Sequence, residues 1–197
     1  MSKKVLDLEK GNSYLTEKVK ALENTTKDQQ FCSRSSTIEI RNIPIKDNET
    51  LDDLVSVVTG IGKIIDENIT RADLRDLRRV PGKQGVPKPI LAEFTNVNVK
   101  RSFISNTRNF NKKSKNKHDK LNTELIGISG TRMPIYVSEF LPLQMKKLLF
   151  RTQEFAKANG YKYYWTSNGI VYLGKKEGDK QIIVKSEQTL IDLQKTV

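Results

Sequence analysis

The sequence predicts an α+β protein in three parts: an N-terminal coiled-coil helix, a β-α-β-β-α-β domain and a small basic α+β domain. Three observations carry this reading. Apolar residues recur every three and four positions over 5–22, strand and helix signals alternate over 36–128, and a helix followed by an Asn-Gly hairpin occupies 131–197.

Val5, Leu8, Asn12, Leu15, Val19 and Leu22 are spaced 3, 4, 3, 4, 3, an a/d heptad register over residues 1–30. Valine at two a positions with leucine at every d position favours a parallel dimer, and Asn12 at the remaining a position fixes register. Lys4 with Glu9, and Lys18 with Glu23, fall at g and following e positions and can pair between chains. An amphipathic helix packed on its own domain is the alternative. Residues 24–36 are polar and read as a linker.

In "STIEIRNIP", Ile38 and Ile40 alternate with Glu39 and Arg41, a half-buried strand stopped by Pro44. A helix follows, with Thr50 as cap and Leu51, Leu54, Val55 and Val58 as its stripe, ending near Gly60. "LRDLRRVP" is a second strand, although the spacing of three between Leu74, Leu77 and Val80 blurs its start. "ILAEF" is a third strand, and "NVNVKRSFISNTRNF" a helix with Val99, Phe103 and Ile104 inward. After a lysine-rich loop, "LNTELIGI" is expected as the fourth strand. This order is the split βαβ arrangement of RNA-recognition-type domains, placed at 36–128.

The C-terminal domain, 131–197, opens with "IYVSEF" as a short strand. A helix over 142–159 then buries Met145, Leu148, Leu149, Thr152 and Ala156, and Asn159-Gly160 ends it. Asn168-Gly169 suits a two-residue type I′ hairpin turn. That turn pairs Trp165 with Tyr172 and Tyr164 with Leu173. Tyr164, Val171 and Leu173 then share the face toward the helix, while Tyr161, Tyr163, Trp165 and Tyr172 share the other. "GDKQIIVKS" supplies a third strand and "EQTLIDLQ" a closing helix.

The chain of 197 residues carries a net charge of +12, unevenly spread. Residues 71–120 have a balance of +10, residues 131–186 of +6, and the other 91 residues of −4. Such polarity implies an anionic partner, nucleic acid first and acidic membrane or protein behind it. Rings beside lysines (Lys162, Tyr163, Trp165, Tyr172, Lys175, Lys176) are the stacking-plus-phosphate chemistry of single-strand binders. Burial of all these rings in a core is the other reading.

In the first domain the usual base-stacking positions hold Pro89, Leu91 and Glu39, none of them aromatic. Backbone contacts from Arg75, Arg78, Arg79, Arg101, Arg108, Lys112 and Lys113 must therefore carry binding there, with little base readout. No catalytic, metal or cofactor site is expected: His118 stands in a lysine run, and "GIGK" lacks phosphate-loop spacing. One cysteine, Cys32, and no apolar run long enough to span a membrane suggest an intracellular chain, cytoplasmic or nuclear.

"PIYVSEFLPLQMKKLLFRTQEFAK" and "YKYYWTSNGIVYLGKKEGDKQIIVKSEQTLIDL" resemble the C-terminal domain of the baculovirus few-polyhedra (FP) protein and its insect, transposon-associated relatives. The three-part order is also similar to the first-open-reading-frame protein of LINE-type retrotransposons. The resemblance implies a non-enzymatic protein that oligomerises and coats nucleic acid, RNA or DNA, or supports particle assembly, with virion association were the chain viral. It places Lys146, Lys147 and Arg151 where LINE-type proteins use arginines against RNA, and it implies a trimer where the a/d pattern favours a dimer. The competing expectation is an adaptor whose basic faces bind acidic proteins.

Overall fold

The computed structural model describes residues 3–82, 84–176 and 178–195 and, within the first helix, the side chains of 5, 8–22 and 25. The chain is α+β, with five α-helices and two antiparallel sheets among the described residues. It divides into Met1–Arg34 and Ser35–Val197.

The first unit is one helix, α1, Lys3–Arg34. The linker expected over 24–36 is therefore helical through Arg34, because no proline or glycine in 24–34 interrupts it. Val5, Leu8, Leu15, Val19 and Leu22 all stand exposed, Leu8 at 66%. The side chains of Lys4 and Glu23 lie outside the described residues.

The second unit begins with β1 (Thr37–Arg41), α2 (Leu51–Ile64), β2 (Leu74–Arg79), β3 (Ile90–Phe94), α3 (Val97–Lys113) and β4 (Tyr136–Glu139). These strands form one sheet in the order β2-β3-β1-β4. Alternation sends Ile38, Ile40, Ile90, Ala92 and Phe94 to the face that meets Leu54, Val58 and Ile61 of α2 and Phe103 and Ile104 of α3. Phe94 and Phe103 touch at a ring separation of 5.5 Å. Leu51, expected in the α2 stripe, is exposed instead.

The blurred start of β2 has a structural cause. The ladder shifts between Leu74 and Asp76, so this bulge returns both Leu74 and Leu77 to the buried side. At α2, Thr50 Oγ1 accepts from the Asp53 N–H and the Asp53 carboxylate accepts from the Thr50 N–H, a reciprocal cap. Thr50→Ala should lower stability by ~1 kcal/mol in a denaturant melt, with an unchanged slope.

The fourth strand is not where it was expected. "LNTELIGI" is a turn: Asn122 Oδ1 accepts the N–H groups of Glu124 and Leu125, and Gly127 sits at φ +75°. A side chain that satisfies the backbone locally removes it from a ladder. The edge place goes to Tyr136–Glu139, which pairs Val137 with Ile40 and Glu139 with Ile38. The strand expected to open the C-terminal domain thus closes the first sheet, so a division at 131 does not separate the two sheets.

The remaining elements are α4 (Leu143–Ala158), β5 (Tyr163–Ser167), β6 (Ile170–Gly174), β7 (Ile182–Val184) and α5 (Glu187–Lys195), with sheet order β5-β6-β7. Trp165 pairs with Tyr172, Tyr164 with Leu173 and Ser167 with Ile170, the register that an Asn-Gly turn dictates. Asn168 and Gly169 take φ +51° and +70°, as a type I′ turn requires. Val171, Leu173 and Val184 pack on Leu148 and Ala156 of α4 and Leu190 of α5.

Candidate nucleic-acid interface

Helix α3 brings cations to the hairpin. Arg101, Arg108 and Lys112 are seven and four residues apart, so they share one helical stripe, which flanks the buried face of Phe103 and Ile104. Arg101 Nε donates to Asn168 Oδ1 at 3.0 Å, and Arg108 Nη2 donates to the Thr166 carbonyl at 3.4 Å. The stripe therefore runs beside β5.

Arg108, Tyr163, Trp165 and Lys176 line one cleft of about 440 Å³, with Asp179 and Gln181 at its wall. Trp165 and Tyr172 stack at 5.4 Å and 11° between planes, and both are half-buried. Their rings are neither sealed in the core nor splayed into solvent. A Cβ added at Gly174 would lie 3.4 Å from the Trp165 ring, so the bare glycine gives the indole room to lie flat. Lys162 stands over the Tyr163 ring at 5.5 Å, so a cation edges the aromatic face. Tyr161, expected on that face, precedes β5 and packs instead on Phe155 and the core under α4, with Lys175 5.7 Å from its ring. Tyr164 pairs with buried Leu173 yet is 37% exposed, because β5 is an edge strand.

The other predicted residues do not converge on this cleft. Arg75, Arg78 and Arg79 lie on β2, the sheet edge opposite β4. Arg75 pairs with Glu93 at 2.9 Å and Arg78 with Asp76. Arg79 is spent internally: it forks onto the two Glu49 carboxylate oxygens, at 2.7 Å each, and also donates to the carbonyls of Ile43, Pro44 and Lys88. That guanidinium is a clamp on the β1–α2 connection, with no donors left for a phosphate. Arg79 in turn holds Glu49 below the usual carboxylate range by hydrogen bonding. Lys146 reaches Glu39 at 2.7 Å, and Arg151 lies beside Glu154 and Glu187. Lys147 on α4 and Lys112 and Lys113 at the end of α3 are exposed.

Two groups escaped the sequence reading. Tyr136 is 51% exposed on the outer sheet face, with the Arg41 guanidinium 6.0 Å from its ring. Together with Glu39 and Lys146 they border a second cleft of about 550 Å³. The alternation Ile135, Val137, Glu139 against Tyr136, Ser138 did signal a strand, but sequence gave no means of assigning it to this sheet.

The second is Glu139, which shares the core face with Ile38. Its Oε1 accepts from Lys100 Nζ at 2.6 Å and from the Asn168 N–H at 2.9 Å, and Oε2 accepts from the Gly169 N–H at 3.1 Å. Burial pushes its pKa up, but Lys100 and the two turn N–H groups outweigh this and hold it below 4.5. A depressed carboxylate contributes stability that is complete above its unfolded value and is lost as pH falls through the folded one. Melting temperature should therefore drop below about pH 4.5, and Glu139→Gln should flatten that drop.

Residues 142–194 match the family model described as Baculovirus FP protein domain 2. This module is FP-like. The match covers α4, the hairpin, β7 and α5, and so includes Trp165 and Lys176 but not Arg108. The cleft thus joins the FP-like module to a helix outside it. A search of the curated proteins finds no match to the chain. No helix among the described residues is long and apolar enough to cross a membrane.

Proposed function

We propose that the chain is a non-enzymatic, sequence-tolerant nucleic-acid-binding protein that prefers single strands and oligomerises through α1. The observation that carries this is the cleft in which Arg108 of α3 and Lys176 flank Tyr163 and Trp165, whose indole stacks on Tyr172. Every base offers a π-face to such rings, and every phosphate offers a charge to Arg108, Lys112 and Lys176. Duplex DNA hides its base faces, which favours single strands. The strand order β2-β3-β1-β4 and the β-α-β-β-α-β succession support an RNA-recognition-like first domain. Its outer face offers Tyr136 and Arg41 in place of the usual stacking residues. The sequence of helix, sheet domain and basic FP-like module supports a layout like that of LINE-type first-open-reading-frame proteins, acting in the cytoplasm or nucleus.

Fluorescence anisotropy of a labelled single-stranded oligonucleotide tests this directly. Saturable binding, weaker for a duplex of the same sequence, is expected. No binding to either RNA or DNA would overturn the reading and return the basic faces to acidic protein partners.

For assembly, the exposed Val5, Leu8, Leu15 and Val19 supply the seam of a coil between copies, with Asn12 in register. Leu8→Glu with Leu15→Glu should convert a sedimenting dimer into a monomer. An unchanged mass would remove α1 as the assembly element, and a trimer in the parent chain would correct the stoichiometry.

A further inference from the structure

We propose that Glu139 is the positioning residue of the binding cleft: its buried carboxylate pins the hairpin turn to α3, so that the α3 cations and the hairpin aromatics act as one site. This rests on the nucleic-acid reading above.

Three elements meet at this one group. Lys100 comes from α3, Glu139 from β4 at the edge of the first sheet, and the Asn168 and Gly169 N–H groups from the hairpin of the second sheet. The Lys100 and Glu139 side chains are only 3% and 7% exposed. Both N–H groups of the turn point to one side and form a small anion-binding cup, which the carboxylate fills. Removing the carboxylate would leave two part-buried N–H groups and a buried ammonium without their carboxylate partner.

The adjacent surface contacts are weaker. Arg101 to Asn168 and Arg108 to Thr166 are exposed hydrogen bonds, the second at 3.4 Å, and do not fix a geometry alone. Arg108 and Trp165 belong to different sheets' supporting elements, yet line the same cleft. The buried carboxylate is the link between them that solvent cannot loosen. An ordinary packing role would make Glu139 matter for stability alone. A positioning role makes the contribution of Arg108 to binding depend on Glu139.

The test uses the full chain, a labelled single-stranded oligo(dT), and the paired variant Lys100→Met/Glu139→Gln. The pair removes both buried charges together and so avoids a lone ion in the core. It should stay folded, with the Asn168 and Gly169 amide resonances shifted upfield, and bind about tenfold more weakly. Arg108→Ala should weaken the parent chain about fivefold or more, yet change the paired variant less than twofold or so. Glu139→Asp, which keeps the charge beside Lys100 but withdraws it from the turn, should behave like the pair. Equal losses from Arg108→Ala in all backgrounds would overturn the inference while leaving the function intact. Absence of oligonucleotide binding by the parent chain would instead overturn the function, and the inference with it.

Discussion

Raising salt from 50 to 200 mM should weaken oligonucleotide binding about 50-fold per protomer. The figure follows from four contacts, Arg108 and Lys176 in the cleft lining and Arg101 and Lys112 beside Arg108 on the same stripe of α3. Each phosphate neutralised on a single strand releases counterions and adds about −0.7 to the slope of log K against log salt. Four contacts give a slope near −3, and protomers joined along α1 that bind one strand should show a steeper slope still. Replacing Arg108 or Lys112 by alanine should lower the slope by about 0.7 each and weaken binding equally across sequences. Arg79→Ala should leave the slope unchanged, since that guanidinium is fully engaged by Glu49 and three carbonyls. An affinity insensitive to salt would rule out this electrostatic mechanism.

Trp165→Ala should cost ~1–3 kcal/mol of binding, the value of one base–aromatic stack. Its effect on stability should fall well short of the ~3–5 kcal/mol expected for a core aromatic. The indole is half-buried, resting on Tyr172 and above Gly174. Phe103→Ala supplies the contrast: its ring is fully buried against Phe94, and its loss should fall wholly on stability. Tyr164, expected on the face toward α4, does not serve as a second core control, because it is 37% exposed. A bound oligonucleotide should quench Trp165 fluorescence, and acrylamide should reach the free protein's indole. A chain that keeps full affinity without Trp165 would reduce the cleft to phosphate contacts.

Local chemistry made much of this fold legible. Asn168-Gly169 favours the type I′ turn, so the whole register of β5 on β6 could be read residue by residue. Thr50 and Asp53 announced the start of α2 in the same local way. What failed was long-range assignment. "LNTELIGI" and "IYVSEF" look equally strand-like, and the decision lay in Asn122, whose side chain takes the backbone N–H groups that a ladder would need. The fate of the arginines was hidden for the same reason. Arg79 is committed to Glu49, 30 residues away, while Arg101 and Arg108 meet the hairpin 67 and 58 residues away. Charge in a sequence counts cations; only the fold shows which are still free to meet a phosphate.

The strand edges carry a consequence for solution behaviour. At high local concentration, unpaired sheet edges invite strands of neighbouring copies to add on. Here β2 presents the exposed Arg75 and Arg78, and β7 is only three residues long. At β5 the outward carbonyl of Thr166 is already taken by Arg108. Each of these edges is charged, short or occupied. At these three edges, crowded copies are steered away from fibre-like strand addition.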